Sequence, residues 1–66
     1  MTENIKGRYK ISISYGVMSA SFTRDRITIL EAKEVGQKMS RLLFQIEDTK
    51  DVIMNLEELA RYEDNK

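Results

Sequence analysis

Sixty-six residues with eleven basic and eleven acidic side chains, no cysteine and no histidine, make one domain at most, and a domain this small removes only about 60% of its unfolded surface from water. Disulfides, Cys/His metal sites and Ser–His or Cys–His catalytic pairs are excluded within the chain, which leaves oligomerisation as the expected supplement to the core. Zero net charge argues against a protein whose main task is non-specific polyanion binding.

The charge is unevenly spread. Residues 1–26 carry five basic and two acidic side chains, residues 27–47 three of each, and residues 48–66 three basic and six acidic. A basic head and an acidic tail are each able to meet a partner of opposite sign. No apolar run is longer than the three residues of Leu42-Leu43-Phe44, far below the roughly 20 residues that span a bilayer. Together with an amino terminus that lacks a signal-peptide pattern, this predicts a cytoplasmic protein with no membrane contact.

In chain order, the polar stretch 1–7 reads as flexible. From Arg8 the pattern alternates, with Tyr9, Ile11, Ile13 and Tyr15 on one side and Arg8, Lys10, Ser12 and Ser14 on the other, as in a half-buried strand. Gly16 interrupts it, and Met18, Ala20 and Phe22 share a face of a second extended run. A hairpin over 8–23, turning near Tyr15 to Met18, follows; a single bent strand with a glycine bulge is the alternative. Thr28 with Glu31 has the form of a capping box and should start a helix.

Beyond it, Val35, Met39, Leu42 and Ile46 recur at helical spacing, and the rhythm continues through Thr49, Ile53, Leu56 and Ala60 without a Gly or Pro stop. In heptad terms Met39, Ile46, Ile53 and Ala60 take the a positions and Val35, Leu42, Thr49 and Leu56 the d positions. Leu43, Val52 and Leu59 widen this stripe beyond what a two-stranded coiled coil needs. A chain folding back at Asp48 or Thr49, each able to cap a second helix, is the competing reading; a strand at Asp51 to Leu56 is a third. Glu34 with Lys38 and Glu57 with Arg61 are helix-supporting pairs, and Gly36 lets another backbone approach. The expected fold is therefore α+β: one domain over 1–66, an N-terminal β-hairpin (8–23) packed on one long helix or a helix pair (28–63), in an oligomer. Leu42, Ile46, Ile53 and Leu56 are the expected self-association residues, while Ile11, Ile13, Met18 and Phe22 should pack on the helix near Gly36, Met39 and Leu43.

Chemistry is sparse. Glu57 and Glu58, like Glu47 and Asp48, are chain neighbours that point about 100° apart on a helix and do not converge. Gly7, Gly16 and Gly36 are scattered rather than gathered into a phosphate loop. No enzyme, cofactor or metal site is expected. Arg8 and Lys10 on the polar strand face, with Arg24 and Arg26 leading into the helix, form the best polar cluster for an anionic partner; charge protection of a strand edge is the structural alternative. Phe44, off the heptad seam, marks a contact surface unless the hairpin covers it.

The segment "LEELARYED", Leu56 to Asp64, resembles one in small accessory proteins of bacteriophages and prophages of Gram-positive bacteria, where a Leu-rich helix leads into Tyr-Glu-Asp. In those proteins a Thr-Gly and a further acidic helix often follow; here Asn65 and Lys66 stand in that place. The resemblance implies a mobile-element origin, helical character over 56–63, and a host-cell protein as partner, a defence or gene-expression component among the candidates. The resulting expectation is a non-enzymatic interaction protein that modulates or inhibits a host protein through Arg8, Lys10, Arg24, Arg26 and Phe44. One alternative is a dimeric DNA-binding regulator of ribbon-helix-helix type, presenting Arg8, Lys10, Ser12 and Ser14 to a groove; the Val17–Phe22 insertion and the zero net charge weigh against nucleic acid. The other is an oligomer that sequesters an anionic nucleotide through Arg24 and Arg26.

Overall fold

The computed structural model describes residues 5–62. Its elements are β1 (Lys6–Tyr15), β2 (Met18–Ile27), α1 (Ile29–Phe44) and β3 (Ile53–Tyr62). The three strands form one antiparallel sheet in the order β2-β1-β3, and α1 packs on one face of it, chiefly over β1.

The hairpin turns where expected. Tyr15 pairs with Met18, leaving Gly16 and Val17 as a two-residue turn. Gly16 holds a φ of 63°, the glycine-first arrangement that matches the twist of hairpin strands. Both strands outrun the predicted 8–23. Lys6 and Gly7 of the stretch read as flexible already belong to β1, because both pair with β3 and Gly7 also pairs with Ile27 of β2; residues 1–4 lie outside the described residues.

Alternation sets the core. Tyr9, Ile11 and Ile13 are buried beneath α1, with Ile11 and Ile13 essentially inaccessible. The helix answers with Ala32, Gly36, Ser40 and Phe44, one residue every four positions. The Ser40 hydroxyl meets its own need by donating to the Gly36 carbonyl at 2.7 Å. Thr28 caps α1: its hydroxyl accepts from the Glu31 N–H at 3.2 Å and the Glu31 carboxylate accepts from the Thr28 N–H at 2.8 Å, as the capping box predicts. Of the predicted hairpin contacts, Ile11 and Ile13 are central and Phe22 is half-buried, whereas Met18 and Leu43 are exposed.

The expectation of helix over 28–63 is corrected. Gln45 turns left-handed (φ 57°, ψ 48°), and the N–H groups of Gln45 and Ile46 converge on the Arg41 carbonyl. Arg41 also fastens the outgoing chain by donating from Nε to the Glu47 carbonyl at 3.3 Å. Asp48 caps no second helix; its carboxylate accepts the Lys50 N–H at 3.0 Å in a turn, and Val52 closes onto Thr49. The chain then enters β3, so neither a heptad seam nor a helix pair forms among the described residues. The helical character implied for 56–63 is likewise replaced by strand as far as Tyr62, residue 63 lying outside the described residues. Glu57 and Arg61 are strand residues, and Arg61 pairs with Glu58 instead at 3.1 Å.

Candidate functional site

With α1 on one face, the other face of the sheet is uncovered among the described residues, and it gathers most of the polar residues of the three strands. Lys6, Arg8, Lys10, Ser12 and Ser14 run down its centre on β1. Cross-strand register places Ser19, Ser21 and Thr23 of β2 on one side, and Ile53, Asn55 and Glu57 of β3 on the other. The end near the turn is a shallow trough of about 440 Å³ lined by Ser12, Ser14, Ser19, Ser21, Ile53 and Asn55 among others.

The opposite end is built by two irregularities. Between Gly7 and Tyr9 the pairing to β2 slips by one residue, and between Arg8 and Tyr9 the pairing to β3 slips by one. An extra residue in an edge strand bends it and re-aims its side chains. On β2 the slip coincides with Arg26 in a left-handed conformation (φ 60°). On β3 it carries Ala60 and Tyr62 onto the Arg8 and Lys6 positions. The outcome is a cluster spanning the sheet. Arg8 Nε lies 3.5 Å from Asp25 Oδ1, the Tyr62 hydroxyl donates to the same oxygen at 2.8 Å, and the Arg26 guanidinium sits 5.1 Å above the Tyr62 ring, within cation–π range.

Electrostatics follow from these contacts. The Tyr62 hydroxyl foremost, then Arg8, hold the Asp25 carboxyl below its ordinary range, and Asp25 in turn holds the Arg8 guanidinium charged. Glu57 stands opposite Lys10 in the register, so Lys6, Arg8, Lys10 and Arg26 outnumber Asp25 and Glu57 by two charges at this end. No group of three or more His, Cys, Asp or Glu side chains that could hold a metal ion occurs among the described residues.

A second concave surface lies on the helix side, a groove of about 400 Å³ lined by Ile5, Tyr9, Ile29, Leu56, Glu58 and Arg61. Glu58 is held by Arg61 through two nitrogens and receives the Tyr9 hydroxyl at 3.4 Å. Burial first, then the Glu58 charge, push the Tyr9 phenol above its usual value, while Arg61 holds Glu58 below the usual carboxylate range.

The five residues expected to meet a partner are thus divided. Arg8, Lys10 and Arg26 belong to the open face. Arg24, opposite Tyr9 in the register, stacks 5.2 Å over Phe22 on the helix side, apart from Arg26 on the open face. Phe44 is not a contact surface: it is only 8% exposed and stacks on Tyr15 with ring centroids 5.7 Å apart. The four residues assigned to self-association also part company. Leu42 (63% exposed) lies on α1, Ile46 follows it, Ile53 (65% exposed) is on the open sheet face and Leu56 is on the helix side. Because β1 is paired along both edges, it is not available as the intermolecular ribbon that a ribbon-helix-helix dimer requires. Tyr62 and Asp25 escaped sequence reasoning, since a helical 28–63 left Tyr62 without a strand; the dense "TRDRIT" charges were the signal for a bulged edge.

No protein-family model, curated protein or solved structure matches the chain.

Proposed function

We propose that this chain is a non-enzymatic interaction protein that binds a partner protein through the open sheet face, with Lys6, Arg8, Lys10 and Arg26 directed at an acidic surface of that partner. The observation that carries this reading is the bulge-built cluster of Arg8, Asp25, Arg26 and Tyr62, which joins three strands on the face α1 leaves uncovered. Rigid strands hold such groups in fixed positions, which favours a specific surface over a mobile charged tail. The phage-like segment at Leu56 to Asp64 supports a bacterial host protein as the partner and modulation or inhibition in the host cytoplasm as the consequence.

The test is affinity capture from a Gram-positive bacterial extract by three immobilised chains: the wild type, Lys10→Ala/Arg26→Ala, and Lys33→Ala/Lys38→Ala on the exposed side of α1. A discrete protein retained by the wild type and the helix variant, and lost with Lys10→Ala/Arg26→Ala, supports the reading. Equal retention by all three chains rejects it. Retention of duplex DNA that falls steeply with salt and depends on the same two side chains would move the assignment to a nucleic-acid regulator.

A further inference from the structure

The two edges of the sheet differ in how they are defended. Natural edges are blunted by charge, proline or bulges, and both bulges here lie at the Arg8 end. From Ile11 to Thr23 the hairpin has no charged residue and no proline, and its register is unbroken there, so the β2 edge from Met18 to Thr23 is regular and uncharged. The corresponding stretch of β3, Ile53 to Leu56, is shorter and runs directly into Glu57 and Glu58. In a ladder closed by a two-residue turn, the pair beside the turn is hydrogen-bonded and every second pair thereafter. Tyr15–Met18, Ile13–Ala20 and Ile11–Phe22 therefore exchange bonds inside the hairpin. Ser19, Ser21 and Thr23 turn their N–H and C=O groups to the open edge.

We infer that this edge pairs with the same edge of a second copy, antiparallel about a two-fold axis at Ser21, to give a continuous six-stranded sheet. An isologous contact must be self-complementary, and this register is. Ser21 faces Ser21 of the second copy and Ser19 faces its Thr23, so all three outward-facing backbone positions of each strand are satisfied and hydroxyl lies against hydroxyl. On the helix side Phe22 faces Ala20 of the second copy, large against small. Arg24 falls opposite Met18 of the second copy, which keeps like charges apart. Both helices lie on the same side of the joined sheet, and both Arg8 clusters remain open on the other. Dimerisation by this route is independent of which partner the open face binds.

The absence of cysteine provides a direct test. Ser21→Cys introduces the sole thiol at the axis, and mild oxidation of the dilute protein is expected to yield a disulfide dimer that Asn55→Cys, on the open face of β3, does not. Light scattering after size exclusion should show the 7.7 kDa chain rising toward twice that mass with concentration. Ser21→Lys should abolish the rise, and Asn55→Lys should leave it intact, with far-UV circular dichroism unchanged in both. A wild-type chain that stays monomeric up to about 1 mM, near the weakest association worth assigning, overturns the inference. So does a dimer that survives Ser21→Lys, or disulfide formation that is as fast from position 55 as from position 21.

Discussion

Gly36 of α1 sits directly against Met54 of β3: a Cβ built at Gly36 would lie 2.6 Å from the Met54 sulfur and 3.2 Å from Cγ2 of Ile11. The missing side chain is what lets the helix lie down on β1 while touching β3. Helix propensity favours Ala over Gly by about 1 kcal/mol, and overpacking a close contact costs roughly 1–3 kcal/mol, so the second effect should win for a branched residue. Gly36→Val is expected to lower stability by about 2 kcal/mol in urea unfolding. In a Met54→Ala background, where the sulfur and terminal methyl are gone, the same change should cost at least about 1 kcal/mol less, the positive coupling expected of touching residues. Additive single changes would remove Met54 as the neighbour that excludes a side chain at position 36.

Thr28 controls where the sheet hands over to the helix. Its hydroxyl and the Glu31 carboxylate satisfy one another's backbone N–H groups, immediately after the bulge at Arg26. Thr28→Ala should cost about 1 kcal/mol, and Thr28→Ser should recover most of it. Urea midpoints measured for the three chains decide the matter; a Thr28→Ala midpoint equal to wild type would mean that packing alone fixes the start of α1.

Local chemistry made the first half of the fold legible. Period-two alternation from Arg8, a turn at Gly16, a capping box at Thr28 and a small residue at Gly36 are each written in neighbouring residues, and each reappears in the structure. β3 was not legible, for a physical reason. Leu56, Glu57, Glu58, Leu59, Ala60 and Arg61 are good helix formers, and Ile53, Leu56 and Ala60 stand at spacings that imitate a helix although Ile53 lies on the open face, Leu56 on the helix side, and Ala60 is carried back to the open face by the bulge. What overrides propensity is β1, whose second edge needs a partner for its backbone groups. The site suffered from the same error, because Tyr62 reaches Asp25 only from a strand.

Gly7 makes the pairing of that strand possible at the charged end. A Cβ at Gly7 would collide with the Ala60 carbonyl oxygen, a backbone atom that cannot swing aside. Gly7→Ala should therefore detach the Ala60–Tyr62 end of β3 and free Tyr62 from Asp25. Amide hydrogen exchange is the suitable readout: protection of residues 60–62 should fall by at least about tenfold, equivalent to 1.4 kcal/mol of local opening, while Ile11 and Ile13 stay protected. Uniform loss of protection would show that β3 folds as one unit with the core.

The acid limb of stability follows from Asp25 and Glu58. Both carboxyls are held below their ordinary values, Asp25 chiefly by the Tyr62 hydroxyl and Glu58 chiefly by Arg61. A depressed folded-state value means the contribution is fully present above the unfolded values, about 3.9 and 4.3, and is lost as pH falls through the folded ones. Urea midpoints should hold from pH 7 to about 5 and decline below that. Asp25→Asn and Glu58→Gln should each flatten the decline. Tyr62→Phe should move the Asp25 titration, followed by carboxyl chemical shifts, back toward its ordinary value by more than Arg8→Met does, because the phenol is the larger influence. At the alkaline end the sign reverses: the raised Tyr9 phenol stays protonated longer in the folded chain, so stability declines once pH exceeds about 10, and Tyr9→Phe removes that part of the loss. An Asp25 titration unmoved by Tyr62→Phe would dissolve the three-strand cluster in solution, and with it the ordered end of the open face.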